Sequence, residues 1–229
     1  MVACKVVSIV EGCRVALTDI VPSPEALELA ARLRGRSRSF LPAPELDDAL
    51  AQLVLDESRS WEIVWRGRAR LGPGHRWLTG IHRRGCGPLG LTGIDLDLRR
   101  INGQMGFMRL PDDCDASAAL IRRGLQLASG RQNVAVVLTD TDQWADRNGT
   151  SAIALGSAGM APQRQGSLAD YGADYVYAES MVDLLANAAT VVIGQLDRRA
   201  PVAVIRGVSF ERSDDLGVLD MIRDADPPS

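Results

Sequence analysis

The chain has 229 residues, 46% of them hydrophobic, 24% charged and only 4% aromatic, with a formal net charge of -3. This is enough for one large or two small domains with a core mostly of Ala, Val, Leu and Ile; no apolar run spans a bilayer, and Met1-Val2-Ala3-Cys4-Lys5 lacks the order of a signal peptide, so a cytoplasmic protein without a membrane partner is expected. Cys4, Cys13, Cys86 and Cys114 form no Cys-x-x-Cys pair and read as reduced thiols, while His75 and His82 are the only histidines, which argues against a disulfide frame, a zinc site and a Ser-His-Asp triad.

In chain order, residues 2–9 (VACKVVSI) are expected as a strand, turning at Glu11-Gly12 into a second short strand, Cys13 to Leu17. A strand at the first residue has no upstream element to cover it, as if the chain began inside a fold. Pro22-Ser23-Pro24 stops the second strand, and Ser23 caps a helix over Glu25 to Leu33. The cluster Arg32, Arg34, Arg36 and Arg38 has no interleaved aromatics, and the chain is acidic overall, so it reads as a solvated helix end rather than a nucleic-acid surface. A second helix, Glu45 to Leu55, places Leu46, Leu50 and Leu53 on one face. Trp61 to Trp65 and Arg76 to Ile81 read as strands, separated by the turn Gly72-Pro73-Gly74. Gly85 to Gly90 lacks the Gly-Lys-Ser/Thr ending of a Walker loop and reads as a flexible turn. Phe107 to Leu110 is a short strand, after which Asp115 or Ser117 caps a helix over Ala116 to Ser129.

The stretch Asn133 to Gly149 organises the chain. Val134 to Leu138 has the β-branched bias of a buried strand and is expected to end at Thr139-Asp140-Thr141-Asp142. Carboxylates and hydroxyls at the end of a buried strand suit Mg²⁺ or Mn²⁺ bound to phosphate, since both ions prefer oxygen ligands. The alternative is a plain polar turn. Beyond it come a strand from Ser151 to Gly156, a close backbone approach at Gly156-Ser157-Ala158-Gly159, and a loop at Asp170-Tyr171-Gly172. An apolar helix is expected from Ala178 to Ile193, its small residues Ala186, Ala188 and Ala189 suited to close packing or a dimer contact. Pro201 to Ile205 reads as a buried strand, and residues 213–229 as a short helix and an acidic tail.

Taken together these pieces resemble the coenzyme F420-0:γ-glutamyl ligase family. Val2 to Cys13 is similar to its "vAqKivSkaEGr" opening, and Glu57-Ser58-Arg59 to its "ESR". Gly93-Ile94-Asp95 is similar to the start of "GIDxSN", and Leu110 to Ala118 to "LPxDPDxSA". Thr139-Asp140-Thr141 resembles "SDT", with Arg147 and Gly149 for its later Arg and Gly. Asp183 with Leu185-Ala186 resembles "DELA", and Gly194-Gln195 with Pro201 to Gly207 resembles "GQ…PVxxxRG". The resemblance implies an α+β fold of mixed sheets with peripheral helices over residues 1–212, in an intertwined homodimer. It also implies GTP as co-substrate and Mg²⁺ or Mn²⁺ for making an amide from a small-molecule carboxylate and an amino acid amine through an acyl phosphate, with no nucleic acid involved. On that pattern Asp95, Asp140 and Thr141 are metal ligands, while Lys5, Ser8 and Gln195 face the nucleotide; Lys5 is the only lysine in the chain.

The departures lie at Ile9, where the family has a second lysine, at Leu98 for an asparagine, at Leu184 for a glutamate, and in Asp142 to Arg147 for "FGRPWR". The family's first strand and helix have no counterpart here. A non-catalytic homologue acting as a binding or assembly partner is therefore the alternative. Val136 to Asp142 also resembles, in isolation, the aspartyl-phosphate motif of haloacid-dehalogenase-type phosphatases, with Asp140 as nucleophile and Asp142 as acid. That motif opens its domain and continues into Gly-Thr, whereas this one lies past the middle and continues into Gln-Trp.

Overall fold

The computed structural model describes residues 1–34, 44–57, 60–65, 76–81, 89–90, 95–101, 104–142, 151–167, 176–194 and 200–221. Its elements, in order, are β1 (Val2–Ala3), α1 (Cys4–Val10), β2 (Arg14–Ala16), α2 (Pro24–Arg34), α3 (Pro44–Glu57), β3 (Ser60–Trp65), β4 (Arg76–Ile81), β5 (Leu89–Gly90), β6 (Asp95–Ile101), β7 (Gln104–Met108), α4 (Cys114–Ser129), β8 (Val136–Asp142), β9 (Ser151–Ala158), β10 (Gln163–Ser167), β11 (Val176–Ser180) and α5 (Met181–Ile193). Short 3-10 turns cover Leu17–Asp19 and Val218–Met221. The architecture is mixed α+β with small sheets, as the family resemblance implies. The chain divides into two compact units, one of residues 1–7, 113–141 and 151–224, the other of residues 8–112, 142–150 and 225–229.

In the first unit the sheet order is β1-β8-β9. β1 runs parallel to β8, with Val2 opposite Leu138 and Ala3 opposite Thr139. On its other side Val2 makes a bridge with Val202, and the Ala3 N–H donates to Pro201 O at 2.8 Å. The expected buried strand Pro201 to Ile205 is thus only this single bridge; Ala203 is buried, but Val202 and Val204 point outward, 53% and 75% exposed. Val137, Ala152, Ala154, Met160, Met181, Val182, Ala186 and Val218 form the core. Residues 213–221 join this unit through the buried Val218.

The opening stretch is a strand for two residues only and then a helix, not the expected strand to Ile9. Cys4, Val7 and Ser8 are buried while Lys5, Ile9 and Val10 are exposed, and that spacing of inward positions fits a helical turn rather than an alternating strand. The expected helix from Ala178 begins at Met181, because residues 176–180 pair with β10, Gln163 opposite Ser180 and Ser167 opposite Val176. Ser180 caps it, its Oγ accepting the Asp183 N–H at 3.3 Å. Ala186 and Ala189 are buried within this chain, and Ala188 is exposed.

In the second unit α2 and α3 bury Ala26, Leu29, Ala30, Ala49, Ala51, Leu53 and Val54 together with Phe107 of β7. Ser23 caps α2 as expected, its Oγ accepting the Ala26 N–H at 3.2 Å, and its own N–H donates to Gln52 Oε1 of α3 at 2.8 Å. β2, β7 and β6 form one antiparallel sheet, and β3, β4 and β5 another.

Candidate functional site

The acidic sequence Thr139-Asp140-Thr141-Asp142 is the last part of β8, not the stretch beyond its end, so the alternative of a plain polar turn does not hold. Pairing with β1 stops at Thr139, where the chain of β1 turns into α1. The parallel register therefore sends Lys5, two residues past Ala3, and Asp140, one residue past Thr139, from the same end of the pair. Carboxyl ends of parallel strands are where ligands bind in α/β sheets. Thr139 is 5% exposed and Asp140 half-buried, whereas Thr141 and Lys5 are exposed. The Thr141 N–H donates to Asp140 Oδ1 at 2.8 Å, which orients the carboxylate along the strand.

Two hydroxyls are buried without a hydrogen-bond partner: Thr139 Oγ1 of β8, in the first unit, and Ser8 Oγ of α1, in the second. A buried, unsatisfied hydroxyl is costly and calls for a reason. Ser8 is among the residues the sequence points to; Thr139, which stands where the family has the serine of "SDT", is not.

Of the remaining candidates, Asp95 opens β6 in the second unit, opposite Met108, and Gln195 lies outside the described residues, as do Asp170 to Gly172, Arg147 and Gly149. Among the described residues no three His, Cys, Asp or Glu side chains gather into a metal cage. Half-buried Asp140 and exposed Thr141 offer hard oxygen donors, a set that fits a divalent cation completed by phosphate oxygens and water.

Other family-like positions are architectural. Asp113, not Asp115 or Ser117, caps α4, its carboxylate accepting the Ala116 N–H at 2.8 Å. Asp115 instead accepts the N–H groups of Ser157 (2.6 Å), Val218 (2.9 Å) and Leu219 (3.0 Å). Gly156 and Gly217 permit this packing, because a Cβ at Gly156 would overlap the Cys114 backbone and one at Gly217 the Asp115 carboxyl. The close approach expected at Gly156 is thus to α4. Glu57 binds Arg109 at 3.1 Å, and this hydrogen bond holds the guanidinium pKa above its ordinary value.

Residues 1–207 match the model of the F420-0:Gamma-glutamyl ligase family. The chain is 34% identical to the coenzyme F420:L-glutamate ligase of Methanothermobacter thermautotrophicus, covering 97% of this chain and 80% of that one. It is 33% identical to the protein of the same name from Halobacterium salinarum, over 98% of this chain and 80% of the relative, and 33% identical to that of Methanopyrus kandleri, over 92% and 75%. With its Lys5 and Asp140-Thr141 edge set on the family's own sequence order, the chain belongs to the F420-0:γ-glutamyl ligase family.

Proposed function

We propose that this chain is a metal- and GTP-dependent ligase that joins the amine of L-glutamate to a carboxylate on an F420-type acceptor. The observation that carries the reading is the parallel register of β1 and β8, which brings Lys5 and Asp140-Thr141 out at one edge, in a chain whose relatives carry the name coenzyme F420:L-glutamate ligase. An acceptor carboxylate oxygen would attack the γ-phosphorus of GTP, with GDP leaving. The glutamate amine would then attack the acyl carbon and release phosphate, leaving an amide. Lys5, a compact ammonium on an exposed helix face, would meet phosphate oxygens. Asp140, Thr141 and, on the family pattern, Asp95 would hold Mg²⁺ or Mn²⁺. The ion neutralises charge on the phosphate oxygens. The Asp140 carboxylate is oriented for this by the Thr141 N–H. A homodimer belongs to the same reading and is checked by light scattering.

Calorimetry of Mn²⁺ and GTP on the wild type and on Asp140→Ala tests the proposal. GTP binding that requires metal and disappears in the variant supports it; a wild type that binds neither sinks it.

One observation favours the second reading, a non-catalytic binding or assembly partner. Ile9 and Leu184 are 47% and 57% exposed, apolar where the family carries charge. Detection of GTP-dependent glutamate ligation ends that reading.

A further inference from the structure

A polar cleft of about 420 Å³ in the first unit is lined by Arg122, Gln126, Gln132, Arg212, Ser213 and Asp214. We propose that it is a binding site for a small oxyanion, a carboxylate or a phosphate, held between Arg122 and Arg212, with Asp214 as its built-in competitor.

Arg122 is fixed before any ligand arrives. Its Nε donates to Val134 O at 2.7 Å, and its side chain is only 15% exposed. Gly159, at φ +86°, leaves the room it needs, since a Cβ there would overlap the guanidinium. One terminal nitrogen meets Asp214 at 2.7 Å, but the Asp214 side chain is 76% exposed. A pair so open to water is weak and readily exchanged for another anion. Arg212 enters from the irregular segment 211–214, its Nη2 donating to Gln132 O at 3.1 Å, and Gln126 Nε2 donates to the same carbonyl at 3.2 Å. Ser213 Oγ accepts the N–H groups of Asp215 and Leu216, so its hydroxyl proton is directed elsewhere. Two guanidiniums and one carboxylate thus line the cleft, with only Arg122 bonded to Asp214, and the guanidinium forks suit the paired oxygens of a carboxylate or phosphate.

The cleft is separate from the Asp140 edge. Val134 and Asp140 are six residues apart along β8 and its lead-in, roughly 20 Å at the rise of an extended chain. The inference does not depend on the ligase reading.

The test is calorimetric titration of the full chain with sodium phosphate and, separately, sodium malonate, at fixed ionic strength. It is repeated on Asp214→Asn and Arg212→Gln. Saturable binding of at least one anion is expected, and the anion that saturates identifies the ligand as phosphate-like or carboxylate-like. Asp214→Asn should tighten binding about fivefold, the effect of removing one like charge at close range in a water-like dielectric. Arg212→Gln should weaken it about tenfold by removing a charged donor. Failure of both anions to saturate on wild type and Asp214→Asn overturns the proposal. So does weaker or unchanged binding in Asp214→Asn, or binding indifferent to Arg212→Gln.

Discussion

The side-chain amide of Asn187 pairs with both backbone polar groups of Ala152, donating to its carbonyl at 2.8 Å and accepting its N–H at 3.0 Å. One turn earlier Asp183 accepts the Ala154 N–H at 2.8 Å. Among the described residues β9 ends the sheet order β1-β8-β9, and helix α5 thereby occupies backbone groups of β9 that would otherwise invite another chain. Asn187→Ala should cost about 1–3 kcal/mol, the penalty for unsatisfied groups on a buried residue. Asn187→Asp keeps the acceptor but loses the donor, and should fall between wild type and alanine. Urea unfolding checks both. A loss for Asn187→Ala no larger than that of a neutral surface substitution would remove the pairing from the list of stabilising contacts.

The sequence showed this fold unevenly, for reasons visible in particular residues. Ser23, Pro24 and the leucines of α3 follow local rules of capping and helical periodicity, and those helices formed where expected. Arg76 to Ile81 formed as a strand with the expected limits. Residues 4–10 misled because Val6, Val7, Ile9 and Val10 carry strand propensity, while the burial of Cys4, Val7 and Ser8 is decided by tertiary packing. The start of α5 was legible in the Ser-x-x-Asp spacing of Ser180 and Asp183, a capping signal that apolar content concealed. Of the candidate site, the sequence order named Asp140, Thr141 and Lys5, and the structure adds that β1 and β8 run parallel beside them; their roles rest on the proposal above. The bonds of Asp115 to Ser157 and Val218, and of Asp183 to Ala154, were not legible, since those partners lie 29 or more residues away.

Asp115 and Gly217 form a coupled pair, because the glycine leaves space for the carboxylate that holds the turn at Val218. Gly217→Ala should destabilise by about 1–3 kcal/mol through overpacking. Asp115→Ala should cost a similar amount by orphaning the N–H groups of Ser157, Val218 and Leu219. In the double variant the methyl no longer meets a carboxyl, so the two losses should sum to less than their separate total. A thermodynamic cycle from chemical denaturation measures this; strict additivity would show that the two residues do not share the contact.

Asp140→Asn should leave the fold intact and abolish metal-dependent GTP binding. Its amide oxygen still accepts the Thr141 N–H, so the strand keeps its local bond, while the charge that a divalent cation requires is gone. Thermal unfolding should therefore shift little as calorimetric metal binding disappears. Retention of Mn²⁺ affinity in this variant would place the metal elsewhere.

Lys5 and Ile9 lie one helical turn apart, and both are exposed on α1. If Lys5 meets phosphate, a second ammonium at Ile9→Lys should add attraction on the same face. GTP affinity should rise about fivefold at low salt, the scale of one charge acting across a few ångströms of solvent. The gain should shrink at 1 M salt, where the Debye length falls to about 3 Å. Lys5→Met should act in the opposite direction, lowering GTP affinity about tenfold with little change in stability, since the side chain is exposed. The two substitutions test one geometry from both sides. Should Ile9→Lys tighten nucleotide binding while Lys5→Met leaves it unchanged, the phosphate would be meeting the end of α1 near residue 9, and the register argument from β1 would have to give way.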